Sequence, residues 1–408
     1  MHIGVSTQDF IGWGGGVGFI ENLLFGLLAV PEQVTKITVF VPEKPGPMSN
    51  LVARVKRAVF EPSNAAQHLF GRTPSQEAWK MAPTLFARIC PNVVAFDGSA
   101  TTLSHLCQRL RVDILLPITK PSRNYGVPWV GYLADCQHRH YPKFFSAHEI
   151  AFRDRYFSNM LSDANVVIVN SRDAAADLDS FFPEGGAKIF ALPFAPLLRS
   201  DNICNIISRT PLVKHKYATG DKYLMISNQF WIHKDHSTAF KAFALAVEDN
   251  ALAGFTLVCT GAQDDYRFPD YFTEVQNLIT SLHIKDRIIF TGYIDKLDQL
   301  ALLNGATILL QPTLFEGGPG GGAAYDSVAL GIPSLLSNIQ VNLEIDDPTV
   351  TFFNARDVQS LSSAISSCIR TEVHRPSVNE LIEKSSHNAK TLGRSVCAVA
   401  KETLQSFG

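Results

Sequence analysis

The chain has 408 residues, 46% hydrophobic and 18% charged, which suits two domains of about 150 to 200 residues and excludes a single small module or a disordered chain. Its formal net charge is −2, with 19 Lys and Arg against 16 Asp and Glu in residues 1–200 and 17 against 22 in the rest. That distribution lacks the basic footprint of a nucleic-acid binder. The seven cysteines form no CxxC pair, so a reducing compartment is expected rather than a disulfide framework or a zinc site.

The first residues lack the charged and apolar regions of a secretory signal, and no apolar run approaches the roughly 18 residues of a membrane span. A cytoplasmic protein is expected. The first apolar run, residues 3–5, predicts a buried strand and leads into Gly12-Trp13-Gly14-Gly15-Gly16-Val17-Gly18 and then a stretch of helical periodicity. These glycines would bring backbone close to an anion at a helix N-terminus, or would simply make a tight strand-to-helix turn. The run fits G-x-G-x-x-G in no register.

Residues 37–41 predict a second strand, whereas 44–92 hold no clean strand. Within 51–60, Leu51, Val52, Val55 and Val59 share a helical face beside Arg54, Lys56 and Arg57. That pattern fits an ordinary surface helix or a peripheral contact with an anionic membrane. Runs at 113–118, 129–133, 166–169 and 189–192 continue the series of buried parallel strands. Asp135, Gln137, His138 and His140 follow the run at 129–133. Histidines at i, i+2 lack helical metal spacing, so hydrogen bonding to a polyhydroxylated ligand suits them better, and no metal site is expected.

The strand pattern pauses over 197–218, read as a linker, and resumes at 223–226, 255–259, 288–290, 308–310, 334–336 and 350–353. Two consecutive βα arrays imply two doubly wound α/β sheets, with ligands at the carboxyl ends of their strands. After 223–226 comes Ser227-Asn228-Gln229-Phe230-Trp231-Ile232-His233-Lys234. There Lys234 is either part of a solvated loop or placed before a helix N-terminus to neutralise a diphosphate. After 308–310 comes Glu316-Gly317-Gly318-Pro319-Gly320-Gly321-Gly322, then Tyr325 and Asp326. So many glycines beside a helix N-terminus suit phosphate or sugar oxygens better than a structural turn.

Together these segments resemble glycosyltransferase family 4, the retaining nucleotide-sugar transferases of GT-B fold. The resemblance is carried by Lys234, by TGYID (291–295), QPTLFEGG (311–318), ALGIPSLLSN (329–338) and VNLEI (341–345), and in the first half by GGGVGFIENL (14–23) and ADCQHRHYPKFFS (134–146). It implies two facing Rossmann-like domains with a cleft between them: residues 1–196 on the acceptor side, a linker at 197–218, a nucleotide-sugar domain at 219–393, and a terminal helix at 394–408 packing back on the first domain.

By the same resemblance, Lys234 grips the donor diphosphate and Glu316 accepts hydrogen bonds from the sugar, the two lying at opposite ends of the donor. Gly317, Gly318, Gly320, Gly321 and Gly322 hold sugar and phosphate oxygens, and Gly292, Tyr293 and Ile294 border the nucleobase. Asn228, Gln229, Tyr325 and Asp326 complete the donor side, Gly14, Gly15 and Gly16 close over the pyrophosphate, and Asp135 and His138 face the sugar and the acceptor hydroxyl. Two positions depart from the family. Gln229 stands where an arginine is usual, and the second glutamate falls at Ala324 or Tyr325, with Asp326 the nearest carboxylate.

The implied reaction moves a hexose from GDP-mannose or a UDP-hexose to a glycan or lipid-linked hydroxyl in bacterial surface polysaccharide assembly, with retention and without a metal or other cofactor. A nucleotide-sugar epimerase on the same architecture, separable by isomers formed from donor alone, and a non-catalytic nucleotide-sugar binder are the rival readings.

Overall fold

The computed structural model describes residues 1–11, 14–43, 76–122, 125–265, 267–371 and 375–407. Residues 51–60, read as an ordinary surface helix or a peripheral membrane contact, lie outside these. The chain divides into two compact units, Met1–Pro193 with Ala389–Gly408, and Phe194–Asn388.

The first unit is built on a parallel sheet in the order β3-β2-β1-β4-β5-β6-β7. Its strands are β1 (His2–Ser6), β2 (Lys36–Pro42), β3 (Val93–Phe96), β4 (Ile114–Ile118), β5 (Trp129–Tyr132), β6 (Val166–Val169) and β7 (Lys188–Ala191). β1, β4, β5 and β6 are buried throughout, as continuous apolar runs must be when helices cover both faces of a sheet. Sequence reading missed β3. It is a four-residue edge strand, VVAF, that buries only Phe96 fully, so its short apolar run was passed over although it is no shorter than that of β6.

The first unit is completed by residues from the far end of the chain. A helix runs from Val378 to Ser406, and from Ala389 onward it counts with the first unit. It buries Leu392, Val396, Cys397, Val399 and Ala400. At Gly393 it meets the helix Gly14–Leu28 so closely that a Cβ would stand 2.0 Å from the Gly26 carbonyl oxygen. Lys401 Nζ donates to Gln33 Oε1 at 2.9 Å and Lys188 Nζ to Glu402 Oε1 at 2.7 Å.

The second unit carries a parallel sheet in the order β10-β9-β8-β11-β12-β13: β8 (Tyr223–Ser227), β9 (Thr256–Thr260), β10 (Ile288–Gly292), β11 (Ile308–Gln311), β12 (Ser334–Ser337) and β13 (Val350–Phe353). One face packs on Phe240, Phe243, Val275, Leu361 and Ile365, the other on Ile206, Val213, Leu300, Leu303 and Leu330. The stretch 197–218, expected as a linker, is instead mostly the helix Ser200–Lys216. Arg209 Nε and Lys216 Nζ of that helix donate to the two carboxylate oxygens of Asp298, at 2.7 and 2.6 Å. Its buried positions, Ile203, Ile206 and Val213, keep helical spacing but form a narrow stripe among polar residues, and Pro211 interrupts the run.

Both sheets have the doubly wound order, in which the chain starts in the middle and works outward in each direction. The order reverses between β1 and β4 in the first unit and between β8 and β11 in the second. Loops leaving such a pair at their carboxyl ends diverge to opposite faces and open a crevice, where ligands bind in this class of sheet.

Candidate functional site

At the second unit's switch point the loops after β8 and β11 are tied together from inside. Asn228, just past β8, donates through Nδ2 to Gln311 Oε1 at 2.6 Å, and both side chains are buried. Gln311, the last residue of β11, donates through Nε2 to the Gly320 carbonyl at 2.8 Å and to Glu316 Oε1 at 3.2 Å. Asn342 holds the same glycine from the other side, its Oδ1 accepting from Gly320 N at 2.8 Å.

Within this frame Lys234 ends a 3₁₀ turn, Ile232–Lys234, that leads through left-handed Asp235 into the helix His236–Glu248. Its Nζ donates to Glu316 Oε1 at 2.5 Å, and only 11% and 10% of the two charged side chains is exposed. The resemblance placed these residues at opposite ends of a donor. In the structure the turn after β8 and the loop after β11 bring the two side chains to one point.

Gly320 caps the helix Gly321–Ala329 in the left-handed region, at φ 65°, and supplies no side-chain cap. The first N–H groups of that helix therefore lack the side-chain acceptor a Ser or Asp cap would provide. Gly321 is also left-handed, at φ 62°, and a Cβ there would lie 2.7 Å from Glu316 Oε2, whereas a Cβ on exposed Gly322 would meet nothing within 4 Å. Gly320 and Gly321 thus shape the loop, and Gly322 leaves open space over the helix start. Gly318 accepts from Gly321 N at 3.1 Å, and Gly317 precedes it at the loop's bend.

The remaining expected donor residues border this point at varying distance. Gln229 Oε1 accepts from Ala262 N at 2.8 Å, so the amide that replaces an arginine holds the loop after β9. Gly261 in that loop sits so close that a Cβ would be 2.0 Å from the Asn228 carbonyl oxygen, and its N–H donates to Gly292 O at 2.9 Å. Gly292 closes β10, Tyr293 is exposed, and Ile294 packs on the core. Tyr325 meets Phe194 edge-on at 4.4 Å. Asp326 pairs with Lys296 and accepts at 3.2 Å from Gln299 Nε2, which also donates to Ser227 Oγ at 3.0 Å. Gln311, Asn342, Gly261 and Lys296 were not among the site residues expected from sequence, although Gln311 lies in the quoted QPTLFEGG run and Asn342 in VNLEI.

Two buried histidines flank Lys234. His236 stacks on Phe230, centroids 4.1 Å apart, and burial pushes its imidazole down to about 3. Burial and the Lys234 ammonium hold His233 well below the usual histidine value. Both rings are therefore neutral at pH 7, which adds no competing cation beside Lys234.

In the first unit Gly14, Gly15 and Gly16 form the first turn of the helix Gly14–Leu28. Asp135 Oδ1 accepts from Gln137 N at 2.9 Å and so starts the short helix Gln137–His140. His138, expected to face a ligand, is wholly buried, with Nε2 3.0 Å from Asp154 Oδ1 and its ring edge-on to Phe157. Its apolar surroundings lower its basicity. In this arrangement the ring braces the loop through Nε2, while its Nδ1 is buried without a hydrogen-bond partner. All seven cysteines are free, no cluster that could hold a metal occurs among the described residues, and no described helix is long and apolar enough to cross a membrane.

The switch point of this doubly wound sheet gathers an ammonium, a carboxylate and a glycine-capped helix start, at the place where sheets of this class bind ligands. Residues 211–390, most of the second unit, match the family model of glycosyl transferases group 1, and the chain is a glycosyltransferase. The whole chain has the GT-B architecture of solved glycosyltransferases. HepE of Anabaena, crystallised with UDP and glucose, matches with TM-score 0.54 at 16% identity over 100% of this chain and 98% of that one. A glycosyltransferase from Rickettsia africae gives 0.58 at 13% over 99% and 98%, and sucrose-phosphate synthase from Thermosynechococcus elongatus 0.53 at 15% over 100% and 97%. At such identities the likeness is one of fold. No curated protein sequence matches the chain significantly.

Proposed function

We propose that the protein is a retaining hexosyltransferase of the family 4 type, moving a hexose from a nucleoside-diphosphate sugar to a hydroxyl of a glycan or lipid-linked acceptor. The observation that carries this reading is the convergence of Lys234 and Glu316 at the switch point, beside the helix that starts at Gly321. Lys234 and the first N–H groups of that helix bind the diphosphate and stabilise the charge that grows on it as the bond to the anomeric carbon breaks. Glu316, an acceptor when ionised, holds sugar hydroxyls.

The bond from the anomeric carbon to the phosphate oxygen breaks, the acceptor oxygen bonds to that carbon on the same face, and its proton passes to the departing phosphate oxygen. No protein nucleophile is required, and the paired carboxylates of the glycosidase scheme are not invoked. Asp326 and Tyr325, at the next turn of the helix, take the ribose side of the donor, and Gly292, Tyr293 and Ile294 the base. HepE is solved with UDP-glucose, so UDP-hexoses are the first donors to try, with GDP-mannose beside them.

The test is a thermal-shift screen of GDP-, UDP- and dTDP-sugars, followed by transfer assays with the donor that raises the melting temperature. The expected product keeps the donor's anomeric configuration by NMR. Isomerised donor without an acceptor, or inversion in the product, overturns the reading.

A further inference from the structure

The second unit satisfies its site cation from within. Lys234 Nζ and Gln311 Nε2 converge on one oxygen of Glu316, at 2.5 and 3.2 Å, and the ion pair is nearly nine-tenths buried on both sides. An ammonium so engaged keeps two further N–H donors, but the carboxylate already neutralises much of its charge, so a second anion gains the full attraction of Lys234 only when Glu316 gives it up. A carboxylate released at that depth loses its counter-charge without regaining full hydration.

The geometry points to Glu316 as an internal competitor for Lys234 that makes the site select a sugar-bearing nucleoside diphosphate over the bare nucleoside diphosphate, an inference that rests on the donor-site reading above. A bare diphosphate offers acceptor oxygens only. It takes Lys234 and leaves Glu316 uncompensated beside added negative charge. A sugar nucleotide brings hydroxyl donors with its phosphates, and these satisfy Glu316 while Lys234 turns to the diphosphate. After transfer the hydroxyls depart with the sugar, Glu316 recaptures the ammonium, and the spent diphosphate loses its hold. One ion pair thereby favours substrate capture and product release alike.

The experiment is calorimetry of UDP, GDP and dTDP with the full chain as wild type, Glu316→Gln, Lys234→Ala and the double variant. Glu316→Gln removes the charge but keeps an amide oxygen for Gln311; Glu316→Ala, run in parallel, guards against a misplaced amide. Both are expected to bind the preferred diphosphate at least about tenfold tighter than wild type, with the gain falling below about twofold on the Lys234→Ala background. A diphosphate that wild type binds and neither Glu316 variant binds more tightly overturns the inference. So does a tenfold gain that persists without Lys234, which would mean repulsion alone. If none of the three diphosphates binds wild type or any variant, the donor-site reading itself falls and takes this inference with it.

Discussion

The Lys234–Glu316 pair joins residues 82 apart in the chain, and nothing in their spacing could have revealed it. Each was legible singly, Lys234 as a cation after a strand and Glu316 as the carboxylate opening a glycine run, but their meeting depends on the order β8-β11, a tertiary fact. Lys234→Ala removes the side-chain cation at the switch point, where Gln229 supplies none. With a suitable donor and acceptor, kcat/KM is expected to fall at least about 100-fold, with kcat and KM both affected, since the phosphate charge grows toward the transition state. His236 bears on stability. Its ring titrates at about 3 in the fold against 6.5 for the free side chain, so between these values the unfolded chain holds a proton that the folded chain does not. Stability therefore falls as pH drops below 6.5, by up to about 1.4 kcal/mol per pH unit from this group. Melting temperatures from pH 7 to 4 should show a shallower decline in His236→Leu than in wild type.

At the scale of elements, most strands were readable as short apolar runs, which burial on both faces demands of β1, β4, β5 and β6, while the edge strands β7, β10 and β13 carry such runs although they are only partly buried. The glycine-rich loop was readable as an anion site, but its division of labour was not. A substitution at Gly320 or Gly321 would force a β-carbon into Ala324 or Glu316 and distort the loop whatever binds there. Gly322 offers the cleaner test, because its added methyl enters open space. Gly322→Ala should keep or raise the melting temperature, by the roughly 0.5 to 1 kcal/mol that alanine gains over glycine in a helix. It should also weaken donor binding about tenfold or more in calorimetry if oxygen atoms approach that backbone. Unchanged donor affinity would show the helix start to be unoccupied by the donor.

For the whole molecule, composition and the doubled βα pattern led to two α/β units, while the segment between them escaped reading because its helix is mostly polar outside a narrow apolar stripe. The contact of Gly393 with Gly26 has a stability consequence. Gly393→Ala places a methyl against a carbonyl oxygen, an overpacking expected to cost about 1 to 3 kcal/mol, visible as a lower melting temperature. The shared helix Val378–Ser406 also bears on how the protein is made. A chain leaves the ribosome from its N-terminus, and domains usually fold in that order. Here β1 to β7 are all synthesised by residue 191, yet the surface they prepare for Leu392, Val396 and Val399 waits until the last residues emerge. The second unit, whose residues run without interruption from Phe194 to Asn388, can close its core first. Nascent chains stalled before residue 389 should therefore expose the first unit to protease while the second resists, an inversion of the usual order of birth and folding.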